Sequence, residues 1–303
     1  MASRFELIVR GDRDPAWLRA AGEEALAEVT RLDAQLSFYS PASDISRINR
    51  TAHAGEVPVE PRLFSLLMLA RDVHETTMGA FDITVGPLMR CWGFTGSEGG
   101  VPTQTDLQDV MKCVGMHLVR LDEDARTIRF EVEGIEIDLG GIGKGYAIDE
   151  AISILQEAGV RDAFLHGGTS SMKATGRSPE GPHWNVAISA ANDGTGDDEV
   201  LAVVPLSDRS MSVSDVRGKW FEADDATFGH VLDPRSGRPV SAASLSAVEC
   251  RSASLADALS TALLVAGAEE RETILRGYPE ARILVASGGR QSSPIIEHCD
   301  FAI

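Results

Sequence analysis

Ile137-Asp-Leu-Gly-Gly-Ile-Gly-Lys-Gly-Tyr-Ala-Ile-Asp149 carries a short apolar strand into four glycines, a lysine and the start of a helix. Gly140, Gly141, Gly143 and Gly145 remove side chains where backbone must come close to something. The helix that follows aims its free N–H groups and positive dipole end at the same spot. The pattern suits a phosphate, yet it is neither familiar phosphate loop. The P-loop spacing needs Gly where Asp138 stands and Ser or Thr where Gly145 stands, and the dinucleotide fingerprint needs Gly where Tyr146 stands. A strand-to-helix turn with glycines for tight packing is the plainer alternative to a phosphate site, and both readings stay open at this point.

Upstream, Phe5, Leu7 and Val9 alternate as in a first strand, and apolar residues from Trp17 to Leu36 recur at helical spacing behind Pro15. Ser37–Ser43 is a break with Ser43 as helix N-cap, and Tyr39 lies in it as a half-buried aromatic or a ring offered to a planar ligand. Pro61–Thr77 is a second amphipathic helix, followed by Met78-Gly-Ala-Phe-Asp-Ile-Thr-Val-Gly, too apolar for an exposed loop. Asp82 there needs a backbone or ligand donor if buried, as a capping Asp or a site residue. Val101–Met111 reads as a short helix. Leu118–Leu121, Thr127–Val132 and Ile135–Leu139 read as three sheet strands.

Downstream, the helix Gly145–Glu157 ends at Gly159, and the strand Ala163–Leu165 empties into His166-Gly-Gly-Thr-Ser-Ser171, a second glycine turn able to wall the same cleft. Trp184–Ser189 and Leu201–Leu206 are strands around an acidic loop, about residues 191–199, which reads as a surface insertion. In the helix from Ala253 to Gly267, Asp257 and Thr261 are four apart and share a face among alanines and leucines. A carboxylate and a hydroxyl so stacked suit Mg²⁺, which uses few protein ligands and keeps waters. An Asp near a helix N-terminus with a back-bonded Thr is the plainer alternative.

The 303 residues carry 46 acidic against 28 basic side chains, a net charge of −18, which disfavours nucleic acid as partner. A small phosphate ligand remains compatible, given N–H groups, a lysine or a divalent cation. No apolar run reaches the ~20 residues of a membrane span, and the first residues show neither signal peptide nor lipid-attachment cysteine, so a cytoplasmic protein is expected. Cys91, Cys113, Cys250 and Cys299 form no metal pair and no disulfide framework. Without linker or repeat, one interwoven domain over residues 1–303 is expected.

Five segments in the same order resemble the ApbE family of FAD:protein FMN transferases: Leu36–Asn49, Gly79–Pro87 with Trp92-Gly-Phe94, Asp138–Ala147, His230–Gly237 and Ala256–Thr261. The resemblance implies an α+β, T-fold-like single domain, with mixed or antiparallel sheets flanked by helices. It implies Mg²⁺ held by Asp257, Thr261 and the carbonyl of Gly143, and FAD as the substrate. Flavin and phosphates are expected along Tyr39, Ala80, Phe81, Asp82, Asp138, Gly140, Gly141, Lys144 and Tyr146, with Gly167, Gly168 and Val231 alongside. His230, Lys144 and Asp215 are the expected catalytic residues. The implied reaction joins FMN to a Thr or Ser hydroxyl of an acceptor protein and releases AMP. Hydrolysis of FAD to FMN and AMP, or storage of FAD without turnover, are the alternatives. For His230 the plainer role is a turn histidine bonded to Asp233.

Two departures from the family pattern bear on this reading. Val213-Ser-Asp-Val216 stands where many relatives have a glycine followed by Asp-Tyr, which puts Asp215 beside the phosphate site as added charge, a metal ligand or a base. His166-Gly-Gly-Thr-Ser-Ser replaces the usual Asn-Leu-Gly-Gly-Asp.

Overall fold

The computed structural model describes residues 3–96, 99–190, 199–223, 226–288 and 294–301. Its elements in chain order begin with β1 (Phe5–Arg10), α1 (Pro15–Leu36), α2 (Asp44–Thr51), β2 (Val57–Pro58) and α3 (Pro61–Thr76). A 3₁₀ turn (Ile83–Val85) runs into α4 (Gly86–Cys91), followed by α5 (Gln104–Val110), β3 (Val119–Asp122), β4 (Thr127–Phe130) and α6 (Gly143–Glu157). Then come β5 (Asp162–Gly167), β6 (Ser171–Thr175), β7 (Trp184–Ala190), β8 (Glu199–Leu206) and β9 (Arg209–Asp215). The remainder is β10 (Trp220–Ala223), β11 (Ala226–Gly229), β12 (Leu232–Asp233), β13 (Arg238–Pro239), β14 (Leu245–Cys250), α7 (Ala253–Ala266), α8 (Arg271–Leu275), β15 (Arg282–Ser287) and β16 (Ile295–Cys299).

Helix starts follow local chemistry. Asp14 Oδ1 accepts from the Ala16 amide at 3.1 Å with Pro15 in the first turn of α1, and Ser43 Oγ accepts from Ser46 at 3.0 Å to start α2. The expected spans of α1 and the Ser43 cap are therefore found as read. Ala21, Ala25, Val29, Leu32 and Leu36 make the buried stripe of α1.

Seven strands form one antiparallel sheet in the order β1-β5-β6-β9-β14-β15-β16, so residues from both ends of the chain share a single sheet. Helices α1, α6 and α7 cover one face around the main core, which includes Leu32, Leu67, Ile148 and Leu263. The β7–β8 hairpin covers the other face over Met172, Met211, Leu245 and Leu284. A third cluster, Leu88, Trp92, Phe94, Leu107, Val114 and Leu232, supports the β10–β11 hairpin through Phe221 and Phe228. The α+β class and antiparallel sheets match the sequence expectation.

Two of the three expected strands before the glycines are real, β4 pairing with β3 on one side and with β2 on the other, in the order β2-β4-β3. The third is not. Residues 135–139 belong to no ladder, because a side chain and a turn occupy their backbone. Asn49 Nδ2 donates to the Ile137 carbonyl at 3.0 Å and Asn49 Oδ1 accepts the Ile137 amide at 2.8 Å, while the Asp138 amide donates to the Ile83 carbonyl at 2.7 Å. The helix expected from Gly145 begins at Gly143, and the one expected over Val101–Met111 is confined to Gln104–Val110. Strands β14, β15 and β16 carried no expectation. Of the acidic loop, residues 191–198 lie outside the described residues, and Glu199 begins β8.

Among the described residues no helix is long and apolar enough to cross a membrane. Helix α7 is apolar nearly all round, with 12 of its 14 residues buried, because it lies between the sheet and α6.

Candidate active site

The site begins where two helix N-termini meet. A Cβ on Gly145 would fall on the Ala253 carbonyl, so only glycine lets α6 come this close to α7. Across that contact the Gly145 amide donates to Asp257 Oδ2 at 3.0 Å. Asp257 is 2% exposed. Its Oδ1 accepts from Ser171 Oγ and from Ser212 Oγ, each at 3.0 Å, and Lys144 Nζ lies 3.8 Å away. Three donors and an ammonium thus offset the cost of burying the charge. One turn on, Thr261 Oγ1 donates to the Asp257 carbonyl at 3.2 Å while also facing the cleft. A Cβ on Gly141 would stand 3.2 Å from both Thr261 Oγ1 and Phe81 Cε2, so that glycine keeps the cleft open between them.

The cleft has a volume of about 1380 Å³, above the roughly 300–1,000 Å³ usual for small-ligand sites, and so has room for a large ligand. Its walls gather most of the expected residues. The turn after α1 supplies Tyr39, and the segment before Ile83 supplies Ala80, Phe81 and Asp82. The central glycine stretch supplies Asp138, Gly140, Gly141, Gly143 and Lys144. Gly168 lines it from the β5–β6 turn, Asp215 from the end of β9, His230 and Val231 from the segment after β11, and Asp257 and Thr261 from α7.

Two expected residues do not line it. The Tyr146 side chain points from α6 into the main core, where its hydroxyl is buried without a hydrogen-bond partner among the described residues and burial pushes its pKa upward, Glu150 and Glu60 adding to the shift. One residue further along a helix than Gly145 is 100° round it, which is why the turn reaches the ligand side and Tyr146 does not. Gly167 sits inside β5 opposite Phe5, whose ring occupies the space a Cβ would need.

Local electrostatics separates occupied groups from available ones. Asp82 is occupied: Oδ1 accepts from the Thr84 amide at 2.7 Å and Thr84 Oγ1 at 2.6 Å, and Oδ2 accepts from the Met116 amide at 3.2 Å and His74 Nδ1 at 3.1 Å. It caps the 3₁₀ turn, so the plainer of its two sequence readings describes its carboxylate, while Asp82 still lines the cleft beside Ala80 and Phe81. Asp215 is also occupied. Arg217 donates to it through Nε at 3.0 Å and through a terminal nitrogen at 2.5 Å, and the Arg217 amide adds a bond at 2.7 Å. The added acidic charge anticipated at Asp215 is therefore neutralised two residues away.

Asp138 accepts from the Gly140 amide at 2.8 Å, and burial, with Glu136 adding, pushes its carboxyl upward against that bond and Lys144. His230 Nδ1 donates to the Lys219 carbonyl at 3.1 Å, not to Asp233, whose carboxylate is held by Arg235. A carbonyl only accepts, so Nδ1 carries the proton and Nε2 keeps its lone pair. Burial lowers the His230 pKa, with Lys219 and Lys144 contributing, against the Lys219 carbonyl and Asp215. Gly218 packs flat on this ring, since a Cβ there would overlap Cε1. Tyr39 is 59% exposed at the rim, with Lys219 Nζ 5.9 Å above its ring.

Ser171, Ser212, Arg217, Gly218 and Lys219 were not singled out by sequence reading. Only Arg217 had a local signal, its spacing of two from Asp215 at a strand end. The serines come to Asp257 from paired strands, where Ser171 lies opposite Ser212 in the β6–β9 register.

The set Asp257, Thr261 and the Gly143 carbonyl is made of hard oxygens and suits Mg²⁺ rather than zinc. Among the described residues no group of three or more His, Cys, Asp or Glu side chains stands together as a metal cage. Both acceptor positions of Asp257 Oδ1 are used by serines, and Oδ2 keeps one beyond the Gly145 amide, so the residues fit a cation that brings water or phosphate as its other ligands.

The ApbE family model matches residues 1–284. A protein of Escherichia coli (strain K12) named FAD:protein FMN transferase is 29% identical over 268 residues, 86% of this chain and 76% of its own. One of the same name from Chlamydia trachomatis serovar D is 31% identical over 252 residues, 80% and 76% of the two chains. The crystal structure of the ApbE protein of Thermotoga maritima matches with a TM-score of 0.86 at 27% identity, covering 98% and 94% of the chains. The apo form of Pseudomonas stutzeri flavinyl transferase ApbE matches at 0.82 and 28%, covering 96% and 90%. With its family match running through almost the whole sequence and its fold shared with these structures, the chain belongs to the ApbE family.

Proposed function

We propose that this protein transfers FMN from FAD to a Thr or Ser hydroxyl of an acceptor protein, with Mg²⁺, and releases AMP. The relatives named FAD:protein FMN transferase support the donor, the group moved and the protein acceptor. One observation carries the mechanism: a single cleft holds the hard-oxygen set around Asp257, the Lys144 ammonium, and an imidazole whose Nδ1–H is spent on the Lys219 carbonyl, which leaves the Nε2 lone pair to accept a proton.

In this reading the acceptor oxygen bonds to the phosphorus nearer riboflavin as the P–O bond to AMP breaks, and AMP leaves with the electron pair. His230 Nε2 takes the hydroxyl proton. Lys144 and the backbone N–H groups of the glycine turn share the negative charge on the phosphates. Asp257, Thr261 and the Gly143 carbonyl would hold Mg²⁺, which neutralises pyrophosphate charge when bound. Arg217 keeps the Asp215 carboxylate from repelling those phosphates, so Asp215 acts as part of an ion pair rather than as a base. The four free thiols favour the cytoplasm as the working compartment.

The test is incubation with FAD and Mg²⁺, with and without an acceptor protein, following AMP and acceptor mass. AMP formed with a flavinylated acceptor supports transfer. AMP with free FMN, in either arm, indicates hydrolysis, and FAD left intact indicates storage. Asp257→Ala is expected to abolish turnover, and unchanged turnover refutes the cation assignment.

A further inference from the structure

Asp149 stands one helical turn after Gly145 on α6, and Asp257 stands one turn after Ala253 on α7. Each carboxylate caps the other helix. Asp257 accepts from the Gly145 amide at 3.0 Å, and Asp149 accepts from the amides of Ala253 at 3.0 Å and Ser254 at 2.9 Å. Asp149 also takes the hydroxyls of Ser252 at 2.8 Å and Ser254 at 2.7 Å, and its charge is paired with Lys173 Nζ at 2.7 Å. Burial alone would raise the Asp149 carboxyl; Lys173 and the backbone amides hold it below its ordinary value. Nothing in the sequence reading or the proposed mechanism uses this group.

We infer that Asp149 is a positioning residue for the cation site: by capping α7 it sets the register of Asp257 and Thr261 against Gly143 and Lys144. The inference rests on the assignment of the cation to Asp257 and Thr261. Its physical reason is the pairing of the two caps. Where α6 crosses α7, Gly145 meets the Ala253 backbone with no side chain between them, so at that point directional hydrogen bonds, rather than interlocked side chains, set the sliding position. Asp257 supplies one such bond, and it would also have to bind the cation. Asp149 supplies four, with no role in the cleft, and so holds α7 in place whatever Asp257 is doing. Outer groups that orient a metal ligand in this way change affinity by about 10–100-fold when removed.

The experiment is Mn²⁺ titration, followed by electron paramagnetic resonance, of protein saturated with ADP, a pyrophosphate that has no FMN to transfer. Asp149→Asn is expected to raise the Mn²⁺ Kd by about tenfold or more. Ile152→Ala, a core change on the same helix, is expected to lower Tm while leaving Kd within twofold. Ser252→Ala combined with Ser254→Ala removes two of the donors without touching the carboxylate; it is expected to raise Kd severalfold and serves if Asp149→Asn does not fold. A Kd within twofold of the parent in both cap variants overturns the inference, as does an equal rise in Ile152→Ala. Asp257→Ala separates the two levels: Mn²⁺ binding retained there overturns the cation assignment itself. Binding lost in Asp257→Ala but kept in the cap variants overturns only the role of Asp149.

Discussion

At His230 the direction of proton transfer is set by which ring nitrogen the fold has already used. Nδ1–H is spent on the Lys219 carbonyl, and the lowered pKa keeps the ring neutral near pH 7. The acid limb of kcat/KM for transfer is therefore expected below the ordinary imidazole value of about 6.5. A limb at or above that value in a pH–rate profile contradicts this. Gly218→Ala pushes a methyl into the ring and is expected to cut kcat on the order of 10²-fold, with FAD binding changed much less, measured by turnover and equilibrium titration. His74 shows the opposite sign. Burial would lower its pKa, but the bond and charge of Asp82, with the Phe81 carbonyl, raise it overall. Its contribution to stability is fully present below about pH 6.5 and disappears as pH rises through the higher folded value. The stability gap between the parent and His74→Gln should accordingly be widest in acid and narrow above neutrality, as read by denaturant titration across pH.

Between elements, the decisive contact is the glycine one joining α6 to α7. A methyl at Gly145 meets the Ala253 backbone rather than a movable side chain, so the helices must separate. Gly145→Ala is expected to cost about 1–3 kcal/mol by overpacking and to weaken Mn²⁺ binding with it, checked by denaturation and metal titration. A neutral result on both would show that the contact can relax. The stretch 135–139 illustrates a different rule. Its apolar residues looked like a strand, yet Asn49, 88 residues away, satisfies both polar groups of Ile137. Nothing near Ile137 in sequence signals such a clamp.

Across the whole molecule, β1 near the N-terminus and β16 near the C-terminus edge one sheet, and each buried cluster draws on distant segments. Trp17 packs on the main core, Trp184 in the second cluster and Trp92 in the third. Fluorescence and circular dichroism are therefore expected to report one coincident unfolding transition, and two separated transitions would show independent units. Local pattern alone determined the chain's helices α1 and α3, the Ser43 cap, the glycine turn and the candidates Asp257 and Thr261, because caps, helical periodicity and missing side chains act within a few residues. The order of the motifs carried the family likeness. Only the tertiary structure decided that Asp82 and Asp215 are occupied, that Tyr146 faces the core, and that Ser171, Ser212 and Gly145 hold Asp257. Those outcomes depend on which distant donor reaches a buried charge, and that is set by strand register and helix packing rather than by neighbours along the chain.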